Sequence, residues 1–376
     1  MEFHREPEPK PAWYSIANAG DVASPALLLY RSRIEANLRE MLRIAGDPAR
    51  LRPHLKTHKL AEIVRRQVAL GISKAKCATI AECELAAANG VADVLLALQP
   101  VGPAIKRLAQ LADAFPAVKF SAVVDNDDVA EMLDQEWKGR SPLGVFVDLD
   151  VGQHRTGIAP GNDALALARR VSRSRALRFR GLHAYDGHLG IADPEERAAR
   201  CDAAYEPVAA LASALVAGGI PVPAIVAGGS PTFAIHARRP DVELSPGTTV
   251  LWDAGYGSKL KDLPFLPAAT LLTRVVSKPG PDLLCLDLGH KAVASEMPHP
   301  RAVFPSLPDA EPVSHSEEHL VLRTTKADRI HVGDVLYAIP WHVCPTVALH
   351  QEAWLVDEGR AVECWHILAR ARRLHW

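Results

Sequence analysis

The chain has 376 residues, a formal net charge of −1, 48% hydrophobic residues and 23% charged residues. That balance, with basic residues spread along the chain, leaves no electrostatic footprint for nucleic acid or an anionic membrane surface. No apolar run approaches the ~20 residues that span a bilayer, MEFHREPEPKPAW has no apolar signal core, and six cysteines in so long a chain make no disulfide framework, so a reducing cytoplasm is expected.

From residue 26 onward, short apolar runs alternate with stretches of helical spacing. The runs are 26–30, 51–56, 75–79, 93–98, 119–124, 144–149, 179–185 and 224–227. Ala- and Leu-rich stretches such as 80–89, 103–114 and 164–173 lie between them. Strict alternation implies parallel strands joined by helical crossovers, and eight such units fit a (β/α)8 barrel of the TIM type. An open doubly wound sheet is the alternative; its dinucleotide-binding form would carry a GxGxxG turn after the first strand, which is missing. Beyond about residue 255 the pattern changes to β-like runs at 270–277, 283–288, 320–324, 334–339 and 352–356, separated by Pro and Gly. The expected layout is a barrel over 26–255 and a C-terminal, mostly-β domain over 256–376, with residues 1–25 packed on that domain.

Barrel enzymes carry their chemistry at the C-terminal ends of the strands. Lys56, in Arg52-Pro53-His54-Leu55-Lys56-Thr57-His58-Lys59, closes the second run. Arg155 follows the sixth run, and His183, Tyr185, Asp186 and His188 close the seventh. Gly228-Gly229-Ser230 follows the eighth, where two glycines and a hydroxyl suit a phosphate group; Gly247 and Thr248 offer more amides. Each has a plain alternative. Lysines at strand ends form surface ion pairs, Arg155 has Asp148 and Asp150 nearby, Tyr185 fits a core, His188 fits an exposed loop, and glycines fit turns. Further on, His342-Val343-Cys344 on an extended segment would direct imidazole and thiolate to one face, a donor set that suits zinc. A buried cysteine beside a surface histidine is the alternative. His315, Glu317, Glu318 and His319 are further candidate ligands or their hydrogen-bond partners.

These pieces together resemble the D-threonine aldolase and D-serine dehydratase family of pyridoxal phosphate (PLP) enzymes, which share the alanine racemase-type barrel. The matching elements are PHLKTHK (53–59), DVGQHRTGI (150–158), GLHAYDGHL (181–189), AGGSPT (227–232), ELSPGTTVLWD (243–253), SEEH (316–319) and HVCPTVAL (342–349), in family order over most of the chain. The resemblance implies that Lys56 carries PLP covalently, that Arg155 approaches its phenolic oxygen and Tyr185 its ring, and that Gly228, Gly229, Ser230, Gly247 and Thr248 surround its phosphate. It implies that His342 and Cys344 bind a divalent metal (Zn, Mn or Mg) and that the protein is a homodimer. The implied substrate is a D-3-hydroxy amino acid. Retro-aldol cleavage to glycine and an aldehyde is the first expectation, with His188 as the base at the β-hydroxyl. Dehydration to a 2-oxo acid and ammonia is the alternative: Cys344 leans to the dehydratases and Pro345-Thr346-Val347 to the aldolases. A racemase or a non-catalytic PLP-binding protein fits the β domain and its HxC pair less well.

Overall fold

The computed structural model describes residues 12–375, so the expectation for residues 1–11 lies outside the described residues. Seven parallel strands, Lys74–Cys77, Asp93–Leu96, Lys119–Val124, Leu143–Leu149, Leu177–Ala184, Ala224–Ala227 and Val242–Leu244, pair each with the next in chain order. The stretch 51–54 closes the ring, with Leu51 bridging Leu244 on one edge and His54 bridging Lys76 on the other, both in parallel. Arg52 N–H donates to Leu244 O at 2.8 Å, His54 N–H to Pro246 O at 2.9 Å, and Lys76 N–H to Pro53 O at 2.9 Å. Pro53 has no N–H to give, so this stretch pairs through bridges rather than a continuous ladder.

Helices cover the outside of the ring. Asn162–Arg173 shows why they do so: its buried residues Ala164, Leu167, Ala168 and Val171 recur at helical spacing and form one apolar stripe. Caps start these helices where the chain leaves a strand. Thr79 Oγ1 accepts from Glu82 N–H at 3.1 Å, and Asp193 Oδ1 from Glu196 N–H at 2.7 Å. Among the described residues no helix is long and apolar enough to cross a membrane.

The second sheet is built around the long strand Ala269–Gly280, which pairs antiparallel with Ala26–Tyr30, Leu283–Leu286 and Val335–Pro340. Ala26–Tyr30 also pairs in parallel with Glu352–Asp357, which forms a hairpin with Arg360–His366. The run 26–30 is therefore not the first barrel strand. All five of its residues are buried, and such a run suits the centre of either sheet. The barrel strand that the apolar pattern misses is Val242–Leu244, short and interrupted by Glu243. Residues 12–25 lie against the second sheet: Ile16 N–H donates to Tyr337 Oη at 3.2 Å and Ala17 N–H to Gly359 O at 2.8 Å.

The ring interior is not uniformly apolar. Towards the N-terminal ends of the strands, Arg52 pairs with Asp93 at 2.8 Å and Glu243 at 2.7 Å, Arg180 pairs with Asp93 at 2.8 Å, and Lys74 pairs with Glu243. Leu95, Val123, Phe146, Ala224 and Val226 form an apolar cluster in the ring. Burial alone would raise the Asp93 carboxyl, but Arg52 and then Arg180 hold it below the ordinary carboxylate range. Its stabilising contribution is thus present above the ordinary carboxyl pKa and fades as pH falls below about 4. Asp93→Ala leaves the buried Arg52 and the half-buried Arg180 short of a partner and should destabilise the protein by about 3–5 kcal/mol in urea unfolding at pH 7. A loss under about 1 kcal/mol would show that this cluster does not hold the ring.

Candidate active site

The turn that carries Lys56 is built by its neighbours. Leu55–Thr57 is a single 3-10 turn, and His54 at its N-cap accepts from Lys56 N–H through Nδ1 at 3.3 Å. His58 does the same one step on, accepting from Leu60 N–H at 3.1 Å. Lys59 adopts a left-handed φ of 56° and pairs with Glu82, which also accepts from Ala78 N–H at 2.6 Å. The two histidines and the second lysine of the motif therefore shape the turn, and Lys56 is left facing the ring mouth. Burial pushes His58 down to about 3, and burial followed by the charges of Lys76 and Lys56 pushes His54 well down, so both rings are neutral acceptors.

Lys56 shares a cavity with His54, Lys76, Asp148, Arg155, His183 and Tyr185. The Tyr185 ring is its centre: Lys56 Nζ lies 5.7 Å, Lys76 Nζ 5.0 Å and Arg155 Cζ 5.4 Å from the ring centroid. Asp148 and Asp150 are occupied elsewhere. Asp148 bonds His183 Nδ1 at 2.6 Å, and Asp150 bonds His154 Nδ1 at 2.8 Å and two backbone amides. Arg155 thus remains available to an anionic ligand. His183 Nε2 is buried without a protein partner and belongs to the cavity lining. Such an atom, with three cationic groups around one ring, fits a planar anionic cofactor.

His342 and Cys344 do not lie on an extended segment. Val343–Leu349 is a helix, with His342 at its N-cap and Pro345 in its first turn, where a missing N–H costs nothing. Asp253 accepts from Val343 N–H at 3.0 Å and so fixes where the helix begins. The two side chains nevertheless meet. Burial alone would raise the Cys344 thiol, but the His342 hydrogen bond and charge bring it below its ordinary value. His342, against its own burial, is pushed up to about 9 by Cys344 and Glu296. Glu296 takes His342 Nδ1 at 2.5 Å, which orients the other ring nitrogen as a carboxylate does behind a metal-bound histidine. Cys344 Sγ lies 3.2 Å from Thr57 Oγ1 and 3.6 Å from Thr248 Oγ1. The HxC pair therefore stands next to the residue after Lys56, although Thr57 and Cys344 lie 287 positions apart in the chain.

Gly228, Gly229 and Ser230 turn beside this cavity. Gly228 has φ 84°, and a Cβ there would stand 3.0 Å from His236. Ser230 Oγ accepts from Gly247 N–H at 3.3 Å and Thr248 N–H at 3.0 Å, so the two glycine turns converge. Gly229 N–H is turned inward, to Asp186 at 3.0 Å. A Cβ on Gly247 would meet His54 Cβ at 3.1 Å. The cradle is thus closed to side chains and suits a phosphate.

His188 stands apart. It is exposed, with Nε2 close to Gly152, and does not line the cavity of Lys56. His315 is occupied by Arg301 at 2.8 Å and Leu288 O at 3.0 Å, and Glu317 and Glu318 pair with Lys291. Sequence reasoning passed over Lys76, His54 and Glu296. Lys76 had a signal: lysines at 74 and 76 alternate with apolar residues in a parallel strand, where a charge must face the interior. Glu296 had none, because it reaches His342 from a loop 46 residues away.

Burial, with the charge of Lys56, lowers the Lys76 pKa to about 7. The unfolded chain keeps that proton to about pH 10, so between these values the folded state binds fewer protons and stability rises with pH. Lys76→Met should stabilise the cofactor-free protein by up to about 4 kcal/mol at pH 7 and flatten urea-unfolding stability between pH 7 and 10. An unchanged pH slope would mean that Lys76 stays charged inside the ring.

Residues 30–252 match the family model for the alanine racemase N-terminal domain, and residues 268–356 match a putative serine dehydratase domain. A D-threonine aldolase of Arthrobacter sp is 34% identical over 93% of this chain and 93% of its own length. The crystal structure of D-threonine aldolase from Filomicrobium marinum superposes with a TM-score of 0.88 at 30% identity, covering 96% of this chain and 99% of that one. The D-threo-3-hydroxyaspartate dehydratase of Delftia sp. HT23, at 22% identity and TM-score 0.82 over 93% of this chain and 98% of that one, shares the fold. That dehydratase has also been solved as a histidine-to-alanine mutant and as a cysteine-to-alanine mutant in the metal-free form, the two positions lying two residues apart. With the ring, the second sheet and these likenesses in agreement, the chain belongs to the D-threonine aldolase and D-serine dehydratase family of lyases, built on the alanine racemase N-terminal domain.

Proposed function

We propose that this chain is a PLP- and divalent-metal-dependent lyase that cleaves D-3-hydroxy amino acids, with D-threonine aldolase activity. The observation that carries the reading is the meeting of the Lys56 turn and the HxC pair, seen in the 3.2 Å contact between Thr57 Oγ1 and Cys344 Sγ. A turn able to hold a carbonyl cofactor and a pair able to hold a metal thereby stand side by side. PLP would supply an electron sink for bonds broken at Cα, and a metal on His342 and Cys344 would supply Lewis acidity at the β-hydroxyl end.

The chain's own residues supply the rest. Lys56 offers an amine that must lose its charge to react with a carbonyl. Arg155 donates to an anionic oxygen, and the Tyr185 ring gives the cavity a flat wall. The Ser230 hydroxyl hydrogen would serve phosphate, and the turns at Gly228, Gly247 and Thr248 would surround it, the Gly247 and Thr248 amides acting through Ser230 Oγ, to which they donate. Gly229 takes part through the shape of the loop, since its own N–H serves Asp186. His188, on the loop three residues beyond Tyr185, is the proposed acceptor of the β-hydroxyl proton. Cleavage of D-threonine between Cα and Cβ gives glycine and acetaldehyde.

The dehydratase reading keeps one specific observation in its favour. The second donor of the HxC pair is a thiol, and a dehydratase of the same fold has been solved as a cysteine-to-alanine mutant in a metal-free form. The products separate the two readings. Incubated with D-threonine and Zn, Mn or Mg, the protein should release glycine and acetaldehyde in equal amounts, and chelation should abolish this. Release of 2-oxobutyrate and ammonia would assign the dehydratase instead; activity indifferent to chelator would remove the metal role from His342 and Cys344. Lys56→Ala should lose the absorption near ~420 nm expected of a PLP imine and essentially all turnover, while His188→Ala should retain the band and lower kcat by roughly 10²-fold. A retained band in the lysine variant would move the covalent link elsewhere.

A further inference from the structure

Behind the glycine loop lies a group of buried side chains that the proposed chemistry leaves unused. Asp186, next to Tyr185, is 3% exposed, His236 2% and Thr232 0%. One Asp186 oxygen accepts from Gly229 N–H at 3.0 Å and from Thr232 Oγ1–H at 2.6 Å, and the other faces His236 Nε2 at 2.8 Å. On its far side, His236 Nδ1 accepts from Arg239 Nη1 at 3.0 Å, and Arg239 pairs in turn with Asp202. Cys201 Sγ lies 3.6 Å from the carboxylate and 3.3 Å from His236 Nε2.

An aspartate, a cysteine and a histidine with donor atoms this close form a set that could hold a metal. The Arg239 contact decides otherwise. A guanidinium only donates, so His236 Nδ1 must accept, and in a neutral ring the proton then sits on Nε2. Nε2–H donates to Asp186 and has no lone pair left for an ion. Burial and the Asp186 charge also push the Cys201 thiol up to about 12, so it remains protonated. The cluster is a hydrogen-bond chain running from Arg239 through His236 to Asp186 and ending on the loop.

We infer that Asp186 is a positioning residue for the cofactor phosphate: held by His236, it locks the turn at 228–230 through Gly229 and Thr232. The inference rests on the reading of that turn as the phosphate cradle. Donors from two sides saturate both carboxylate oxygens, and Arg239 places a compensating positive charge behind the imidazole. Burial would raise the Asp186 carboxyl, yet these donors, His236 first, hold it below the ordinary range. An ionised acceptor makes stronger hydrogen bonds than a neutral one, which suits a loop with two adjacent glycines and little stiffness of its own. The anchor also reaches the cavity wall, because a Cβ on Gly229 would stand 3.1 Å from the Tyr185 ring. Loosening Asp186 would therefore disturb loop and ring together.

The test measures PLP binding to cofactor-stripped protein, amide exchange at Gly229 without cofactor, and kcat at saturating PLP. Asp186→Asn turns an amide N–H towards His236 Nε2–H and should raise the PLP Kd roughly 10- to 100-fold, speed exchange at Gly229, and lower saturated kcat far less. Thr232→Val should act in the same direction more weakly. His236→Gln keeps a donor for Asp186 and an acceptor for Arg239, so it should bind PLP nearly as the parent does, whereas His236→Leu should resemble Asp186→Asn. Thermal unfolding identifies any variant that merely fails to fold, and the Gln/Leu pair then carries the comparison. Parent-like PLP affinity and Gly229 exchange in both Asp186→Asn and His236→Leu would overturn the inference while leaving the cofactor reading intact. A parent protein that takes up no PLP would overturn both. A bound metal that survives loss of His342 and Cys344 but disappears in His236→Gln would overturn it in favour of a metal site.

Discussion

Everything at the mouth of this ring depends on how 51–54 closes it. Three backbone hydrogen bonds tie a proline-containing stretch to both edges of the seven-stranded sheet. Side chains alternate along that stretch, so Arg52 and His54 both face inward, and the 3-10 turn that follows brings Lys56 to the mouth. Arg52 meets Asp93 and Glu243 low in the ring, His54 caps the turn above, and Lys56 emerges at the top. A shift of one residue would turn Arg52 and His54 outward, displace the turn that carries Lys56 and leave the carboxylates below without a partner. The ion pairs within the ring and the position of the reactive amine are thus one constraint seen at two depths.

The electrostatics of the mouth follow from the groups gathered around Tyr185. Lys56, Lys76 and Arg155 surround one tyrosine ring, while the nearby carboxylates of Asp148 and Asp150 are engaged by histidines and amides. The cavity therefore has a surplus of cationic donors for an anionic ligand. On the other side, His342 and Cys344 are brought in by a helix whose start is set by Asp253, and Glu296 orients the imidazole. Two parts of the chain with separate sheets meet at the Thr57–Cys344 contact, and neither part holds the complete set of groups alone.

Particular residues show what was legible. Lys56 and Arg155 could be singled out because reactive side chains at strand ends are uncommon and barrels concentrate function there. The two glycine turns could be read because Gly-Gly-Ser and Pro-Gly are local signals that need no partner. Tyr185 and the HxC pair were legible as residues, yet the extended geometry expected for the pair was wrong: Pro345 and the Asp253 cap favour a helix start. Ala26–Tyr30 was legible as a buried strand, but an apolar run carries no label for the sheet that will receive it. His188 matched its motif and still lies outside the cavity lining, because motif order does not decide which way a loop faces.

The sequence by itself determined the alternation of strand and helix, the later change to β structure, and the family elements with their order. These are properties of neighbouring residues: periodicity, turn chemistry and motif spacing act over a few positions. Only the tertiary structure decided that 51–54 closes the ring, that Lys76 shares the cavity of Lys56, that Glu296 backs His342, and that Asp186 reaches the glycine loop through Gly229 and Thr232. Each of those contacts joins groups from separate stretches of the chain, and its strength comes from burial and from a partner that local patterning cannot identify.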